Sequence, residues 1–270
     1  MSYLDTLKPQ ARANAEILTK RMNAKGITNP ISQAGLLAVV SKESGFMPRN
    51  ETSYANTSND RIRSIFGNTR LGNPTEAQLT ALKSDEAKFY DQVYGMQWNS
   101  TLGFGNKEVG DGYKYRGRGY NGITGRHQYE KYTPLVGVDL VKNPDLLNDP
   151  AIASDVAIEY FKSGMTKNAD KVSQLYNSTG INDFKSVPDS VGAFYHANAG
   201  FGKSLEKIKA DTTGGYARAN ERGPSFYEYA KTLSGQTIDL VKKKPIQTIV
   251  VVTILTVAIY YLYKTLSNKK

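Results

Sequence analysis

Residues 29–45 read NPISQAGLLAVVSKESG, and this stretch predicts a helix that is buried along most of its length. Asn29 is a residue type that caps helix N-termini, and Pro30 suits the first helical position because its missing N–H costs nothing there. Gly45 is a residue type that ends helices. Apolar residues spread over more than one face between these ends, which is typical of a core element; they are Ile31, Leu36, Leu37, Val39 and Val40.

The flanking sequence predicts further helices and very little sheet. Apolar residues repeat at three- and four-residue spacing from Leu7 to Met22, which predicts an amphipathic helix that ends near Gly26. Residues 95–125 are rich in glycine, tyrosine and arginine, and this composition predicts loops with at most a small β-hairpin. The expected fold class is therefore mainly α. Further helices are predicted at residues 75–94, 149–163, 186–195 and 202–209.

The composition excludes several classes of protein. The chain has 270 residues, no cysteine and two histidines. Without cysteine there is no disulfide scaffold, no cysteine-ligated zinc and no thiol nucleophile. His127 and His196 are too few for a histidine-built metal centre, so we expect neither a metal nor another cofactor. Charged residues at 22% and hydrophobic residues at 39% are typical of a globular chain.

The net charge of +10 is concentrated near the C-terminal end. Residues 242–270 hold six lysines and no acidic residue; removing those six from the 35 basic residues leaves 29 against 25 acidic ones, a charge of +4. Between the lysines, residues 246–263 read IQTIVVVTILTVAIYYLY. As a helix they would span roughly 27 Å, near the thickness of a bilayer core. We expect a transmembrane segment here, with a buried core helix as the alternative and the orientation open.

These features divide the chain into three predicted parts. They are a body at residues 1–222, a linker at 223–241, and a membrane anchor with flanking lysines at 242–270. The N-terminal MSYLDTLKPQ has neither the basic nor the apolar region of a signal peptide, so we expect a single-pass protein with a C-terminal anchor. The charge of +4 outside residues 242–270 is too small to predict nucleic-acid binding, whereas a lipid membrane is the expected partner of residues 246–263.

Two glutamates at the end of the buried helix are the first candidates for chemistry. Glu43 lies in its last turn and Glu51 follows in SKESGFMPRNETSY, where Gly45 and Pro48 prevent one continuous helix. The chain can therefore fold back and place both carboxylates across a cleft. We expect Glu43, beside apolar residues at a helix C-terminus, to favour its protonated form and Glu51 to stay ionised. One neutral and one charged carboxyl group is what glycosidic bond cleavage needs, although two glutamates at this spacing are also common as surface charges.

A second block, GDGYKYRGRGYNGITGRHQYEKY at residues 110–132, carries a family resemblance. It resembles the GDG, YRGRG and TG elements of the family-19 glycoside hydrolases, the chitinase-like lysozymes that include many phage endolysins. AGLLAVVSKESGF at 34–46, RNETSYANTSNDRIRSIFG at 49–67 and KNPDLLNDPAIASDVAIEYF at 142–161 resemble further motifs of that family. The resemblance covers roughly residues 11–210 in order and implies a lysozyme-like fold, mainly α or α+β, without a cofactor.

The resemblance also implies roles for individual residues. Glu43 corresponds to the general acid, Glu51 to the base that activates water for inversion, and Thr124 to the hydroxyl that helps to hold that water. Arg116 and Arg118 are expected to orient the carboxylates or to support the glycine-rich loop. The expected sugar-binding set is Tyr54, Tyr115, Arg116, Arg118, Gln128 and Asn198.

The sequence departs from the family pattern at two positions near these residues. Lys42 replaces the usual histidine before the first glutamate, and Gly122 replaces a glutamine that contacts sugar. The expected function is a peptidoglycan-degrading muramidase or endolysin that cuts β-1,4 glycan bonds by inversion. Chitinase is the alternative activity, and a non-catalytic structural protein of a lipid-containing virion is the alternative class. The expected location is the membrane of a lipid-containing phage virion or otherwise the host inner membrane.

Overall fold

The computed structural model describes residues 3–202, 204–210 and 214–243, which form fourteen α-helices and no β-strand. The prediction of a mainly α fold is therefore confirmed. Three turns of 3-10 helix accompany these helices, at Tyr3–Thr6, Met96–Trp98 and Pro144–Asn148. The helices are α1 Pro9–Ala24, α2 Pro30–Ser44, α3 Asn59–Phe66, α4 Asn68–Leu71, α5 Glu76–Ser84, α6 Glu86–Tyr94, α7 Asn99–Leu102, α8 Asp111–Lys114, α9 Arg126–Val136, α10 Pro150–Lys167, α11 Ala169–Tyr176, α12 Val187–Ala199, α13 Leu205–Ala210 and α14 Gly215–Lys243.

Helix α2 is the central element of the core, as its sequence predicts. The ten consecutive residues from Ser32 to Ser41 are all buried, so neighbours cover every face of the helix. Its N-terminus is capped by the Asn29 side chain, which accepts a hydrogen bond from the Ile31 N–H at 2.9 Å. Gly45 ends the helix in the left-handed region with φ 59°. The buried part of α2 therefore stops just before its last turn.

Helices α2 and α12 cross at very close range because residue 35 is a glycine. A Cβ atom at Gly35 would lie 2.7 Å from the carbonyl carbon of Ser190 and 2.9 Å from Cδ2 of Phe194. Neither distance is compatible with normal van der Waals packing. A second helix pair, α1 and α10, is joined by ion pairs of Arg21 with Asp155 and of Lys25 with Glu159.

Helices α3 to α6 enclose a separate aromatic-rich cluster beside α2. The predicted single helix at residues 75–94 is instead two helices, α5 and α6, which meet at Asp85. Asp85 leaves helical geometry with ψ 98°, and its side chain caps α6 by accepting from the Lys88 N–H. The buried residues of this cluster are Ile62, Phe66, Leu71, Leu79, Phe89, Tyr90 and Val93, with Tyr54 packed against them.

The glycine-rich region is mostly loop and short helix. Its predicted hairpin is reduced to a single antiparallel bridge between Arg118 and Ile123. Gly112 in α8 packs directly on α6, since a Cβ at this position would lie 2.8 Å from the Cα of Asp91. The Asp91 carboxylate in turn accepts hydrogen bonds from the N–H groups of Gly110 and Tyr113. These contacts fix the GDG motif to the aromatic cluster.

The C-terminal part of the described chain is helical where a linker was expected. Helix α14 covers the predicted linker at 223–241 and contains Pro224. Contacts divide the chain into Met1–Tyr227 and Glu228–Lys270. Within the first unit, Phe226 packs edge-on against Tyr3 and Phe46 at ring distances of 5.6 and 5.5 Å.

The predicted membrane anchor lies outside the residues that the structure describes. Within the described ranges, no helix is both long and apolar enough to cross a bilayer. The three predicted parts of the chain and the segment at residues 246–263 therefore stay predictions.

Candidate functional site

Both predicted glutamates line one cleft, which has a volume of about 360 Å³. Glu43 comes from the last turn of α2, just beyond its buried part, and Glu51 comes from the loop that follows. Residues between 117 and 124 of the glycine-rich region form another part of the lining. The cleft thus lies where the central helix, its following loop and the glycine-rich region meet.

Glu51 is held by hydrogen bonds at both oxygens. Its Oε1 accepts from the hydroxyls of Tyr54 at 2.9 Å and Tyr94 at 2.8 Å. Its Oε2 accepts from the N–H of Gly117 at 3.2 Å, and its own N–H donates to the Gly117 carbonyl at 2.7 Å. A carboxylate oxygen has two lone pairs, so Oε1 is fully occupied and Oε2 keeps one free. Oε2 is therefore the oxygen that can still accept a proton from a ligand.

Tyr94 is a site residue that the sequence analysis missed. It ends α6, lines the cleft and stacks on Tyr90 with an interplanar angle of 12°. Burial, with the nearby negative charge of Glu51, raises the pKa of Tyr94 and of Tyr54 above the usual tyrosine value. Both hydroxyls therefore remain hydrogen-bond donors at neutral pH. The available signal was the pair of tyrosines four positions apart, which share one face of a helix.

Glu43 has a cationic partner in its own helix. Lys42 places its Nζ 2.9 Å from Oε1 of Glu43, and both side chains are about one quarter exposed, at 25% and 26%. The ammonium also lies 5.5 Å from the ring centre of Tyr195. A Cβ on Gly215 would overlap the end of this lysine side chain. The residue that replaces the family histidine therefore forms an ion pair with the predicted acid.

Thr124 lies beside Gly117 on the Oε2 side of Glu51. A Cβ on Gly117 would lie 3.0 Å from Oε2 of Glu51 and 3.4 Å from Oγ1 of Thr124. The Thr124 hydroxyl donates to the carbonyl of Gly122 at 2.8 Å, which leaves its oxygen available as an acceptor. The structure thus brings Thr124 to the same cleft as the two glutamates.

Asn198 is connected to the cleft by a hydrogen bond with Asn121. Its Oδ1 accepts from Nδ2 of Asn121, which lines the cleft, at 3.3 Å. Gly122, where the family has glutamine, has φ 61°, and a Cβ added to it would meet no atom within 4 Å, so open space replaces that side chain.

Tyr54 contributes through its bond to Glu51, and its ring packs against Phe66 and Phe89.

Three other predicted sugar-binding residues lie in the interior instead. Tyr115 is 0% exposed and donates to the carbonyl of Val141 at 3.2 Å, so it packs the core and does not line the cleft. Arg118 is 3% exposed and pairs with Asp145 at 2.8 Å. Arg116 is also buried, with its guanidinium 4.1 Å from the ring centre of Tyr113. Both arginines therefore support the loop, which was one of their two expected roles.

Gln128 also lies away from the cleft. Its Oε1 is buried without a hydrogen-bond partner in the described structure.

Among the described residues, no group of three or more His, Asp or Glu side chains is arranged to hold a metal ion. The expected absence of a metal and of other cofactors stays a prediction.

Asp111 of the GDG motif anchors the loop that carries the cleft wall. Its carboxylate binds the guanidinium of Arg126 through bonds of 2.7 and 2.8 Å and accepts from the N–H groups of Lys107 and Glu108. Burial opposes ionisation, but these donors outweigh it and hold the pKa of Asp111 below its usual value. The motif therefore has a structural role beside the site, and we call the Asp111–Arg126 ion pair with its two backbone hydrogen bonds the Asp111–Arg126 clamp.

A helical body with two glutamates on one cleft is the arrangement that two-carboxylate glycoside hydrolases use. The chain is similar to a glycosyl hydrolase family 19 domain-containing protein of Haemophilus influenzae. The two are 26% identical over 151 residues, which cover 54% of this chain and 69% of that protein. No family model matches the chain. At this level of identity the chain is a distant relative of that protein.

Proposed function

We propose that the protein is a glycoside hydrolase that cuts β-1,4 glycan bonds with inversion. The observation that carries the proposal is the pair of unlike carboxylates on one cleft. Glu51 is fixed by two tyrosine hydroxyls and a backbone N–H, whereas Glu43 lies at a helix end beside Lys42. The distant relationship to a family 19 glycosyl hydrolase supports the same class of reaction.

The proposed reaction assigns one task to each carboxyl group. Glu43 gives its proton to the glycosidic oxygen as the bond from that oxygen to the anomeric carbon breaks. Oε2 of Glu51 accepts a proton from a water molecule, whose oxygen bonds to the anomeric carbon from the opposite face. Thr124 lies near Oε2 and is suited to hold that water through its hydroxyl oxygen. Both carboxyl groups return to their starting states by proton exchange with solvent.

Peptidoglycan is the proposed substrate, with chitin as the second choice. Chitin is uncharged along its backbone, whereas peptidoglycan carries acidic stem peptides. Arg49 lines the cleft and is exposed, so a cation is available to such a substrate. The charge of +4 outside residues 242–270 has the sign that suits an anionic polymer, since opposite charges steer association.

The activity is tested with a peptidoglycan zymogram of the full chain. The wild type is expected to clear the gel, and Glu43→Gln and Glu51→Gln to remain folded and give no clearing. Glu206→Gln is the matched control, because Glu206 is exposed on α13 away from the cleft lining. If Glu43→Gln cleared as well as the wild type, the assignment of the acid would fail. Product analysis on peptidoglycan and chitin oligomers identifies the bond and the anomer released.

We also propose that residues 246–263 attach the protein to a membrane. Their uncharged sequence and flanking lysines support this location. Two membranes fit: that of a lipid-containing phage virion, which would bring the enzyme to the wall from outside, and the host inner membrane. Flotation with liposomes tests the attachment, and detection in purified particles with loss on lipid extraction distinguishes the virion. A folded, membrane-bound protein with no activity on either glycan would instead favour the structural-protein alternative.

A further inference from the structure

Arg70 is a partly buried cation that packs on Tyr94, one of the tyrosines that hold the cleft carboxylate. It lies in the short helix α4, and its guanidinium carbon is 5.2, 5.0 and 5.5 Å from the ring centres of Phe66, Tyr94 and Phe104. Nε donates to the carbonyl of Val93 at 2.6 Å. Nη2 is buried and has no hydrogen-bond partner in the described part of the chain. Burial lowers the pKa of Arg70, as expected for a cation removed from water.

The position of Arg70 connects it to the proposed base through one residue. The guanidinium packs on the ring of Tyr94, and the hydroxyl of the same ring donates to Oε1 of Glu51 at 2.8 Å. Arg70 is thus placed to affect the orientation of Tyr94 and, through the Tyr94 hydroxyl, that of the carboxylate.

We infer that Arg70 is a positioning residue for Glu51: its cation–π contact fixes the ring of Tyr94, whose hydroxyl holds the carboxylate. This inference rests on the proposed function, in which Glu51 must be ionised to accept a proton from water. The guanidinium holds Tyr94 so that its hydroxyl occupies Oε1, which leaves the free lone pair of Oε2 as the acceptor. Arg70 itself touches neither the substrate nor the reacting atoms.

A purely structural role for Arg70 gives a different expectation. An arginine that only fills space among Phe66, Tyr94 and Phe104 would affect stability and leave the hydrogen bonds of Glu51 unchanged. Arg70→Met keeps much of the side-chain volume and removes the charge. Arg70→Lys keeps the charge and the cation–π contact but loses the planar fork and the bond to Val93. Comparing the two variants therefore separates the effect of the positive charge from the effect of the side-chain volume.

The decisive measurement is the ¹³C chemical shift of the Glu51 carboxyl carbon at pH 7 in the full chain, with its signal assigned by loss in Glu51→Gln. Arg70→Met is expected to move this signal in the same direction as Tyr94→Phe, because both changes weaken the hydrogen bond at Oε1. In Arg70→Lys the signal is expected to return towards the wild-type position. On solubilised peptidoglycan, Arg70→Met is expected to lower kcat by about 3- to 10-fold and to leave KM unchanged, because Arg70 does not touch the substrate.

A folded Arg70→Met protein in which the Glu51 signal does not move overturns the inference, whether or not the enzyme is active. If the Arg70 variants move the signal as expected but the wild-type chain cleaves neither peptidoglycan nor chitin, the proposed function fails and the positioning role of Arg70 stands. Circular dichroism checks the fold of each variant, and Arg70→Gln replaces Arg70→Met in the same measurement if the latter does not fold.

Discussion

Tyr94 donates its hydroxyl proton to Oε1 of Glu51 across 2.8 Å, and so connects the end of α6 to the loop after α2. Tyr54 donates to the same oxygen from within that loop, at 2.9 Å. The carboxylate is therefore fixed by two tyrosines from different segments that pack against the same aromatic cluster. The orientation of the proposed base depends on the aromatic cluster as well as on its own loop.

Replacing Tyr94 by phenylalanine should impair catalysis while preserving the fold. A hydrogen bond to a charged group contributes about 1.5–3 kcal/mol, so we expect Tyr94→Phe to lower kcat/KM by about 10- to 100-fold. Tyr54→Phe removes a bond to the same oxygen and should give a loss of similar size. Steady-state kinetics on solubilised peptidoglycan measure both. Full activity in Tyr94→Phe would show that the second bond at Oε1 is dispensable.

The close crossing of α2 and α12 predicts a large stability effect at one glycine. Gly35→Ala must force Ser190 and Phe194 apart, and overpacking of this kind costs about 1–3 kcal/mol. Gly164→Ala is the matched control within a helix, since its Cβ would meet Ala197 at an ordinary 3.6 Å. That control should be neutral or up to about 1 kcal/mol more stable. Urea unfolding compares the two, and equal stabilities would contradict the packing argument.

Arg49 predicts how the enzyme distinguishes its two candidate substrates. If the exposed guanidinium attracts acidic stem peptides, Arg49→Gln should lower kcat/KM on peptidoglycan by about 3- to 10-fold and leave chitin oligomers unaffected. Added salt should also reduce the preference of the wild type for peptidoglycan over chitin, because salt screens exposed charges. Parallel kinetics on both glycans provide the measurement. Equal losses on both substrates would assign Arg49 to general sugar binding.

The Asp111–Arg126 clamp predicts sensitivity to acid. The pKa of Asp111 is lower in the folded protein than in the unfolded chain, so its stabilisation is present above about pH 4 and is lost as the pH falls further. Asp111→Asn should destabilise the protein at pH 7 by about 3 kcal/mol, because it removes the bidentate partner of Arg126, whose side chain is only 12% exposed. Urea unfolding at pH 7 and pH 3 tests both the loss of stability and its pH dependence. The difference in the free energy of unfolding between Asp111→Asn and the wild type should be smaller at pH 3 than at pH 7.

The sequence was most informative where local chemistry decides the structure. The ends of α2 follow from Asn29, Pro30 and Gly45, because caps act through their nearest backbone groups. The same local reasoning places Glu43 beyond the buried part of the helix. The division of residues 75–94 at Asp85 was missed, although an aspartate is itself a capping residue.

The missed features depend on contacts between distant parts of the chain. The spacing of Tyr90 and Tyr94 indicates a shared helix face, but it does not indicate that Tyr94 binds Glu51 whereas Tyr115 is buried against Tyr129. Arg70 likewise acquires its place from three rings on different segments. Such side chains are assigned by packing, so a motif can indicate that a tyrosine or arginine matters without indicating which surface it faces.

The ring of Phe226 has a practical consequence for protein engineering. It is fully buried between Tyr3 and Phe46, and Phe46 follows directly on the turn that ends α2. A truncated protein that stops at residue 222 would lack this ring and would expose Phe46 at the start of the loop that leads to Glu51. An expression boundary for the helical body therefore belongs after Tyr227, because Phe226 is then retained and the first compact unit ends there.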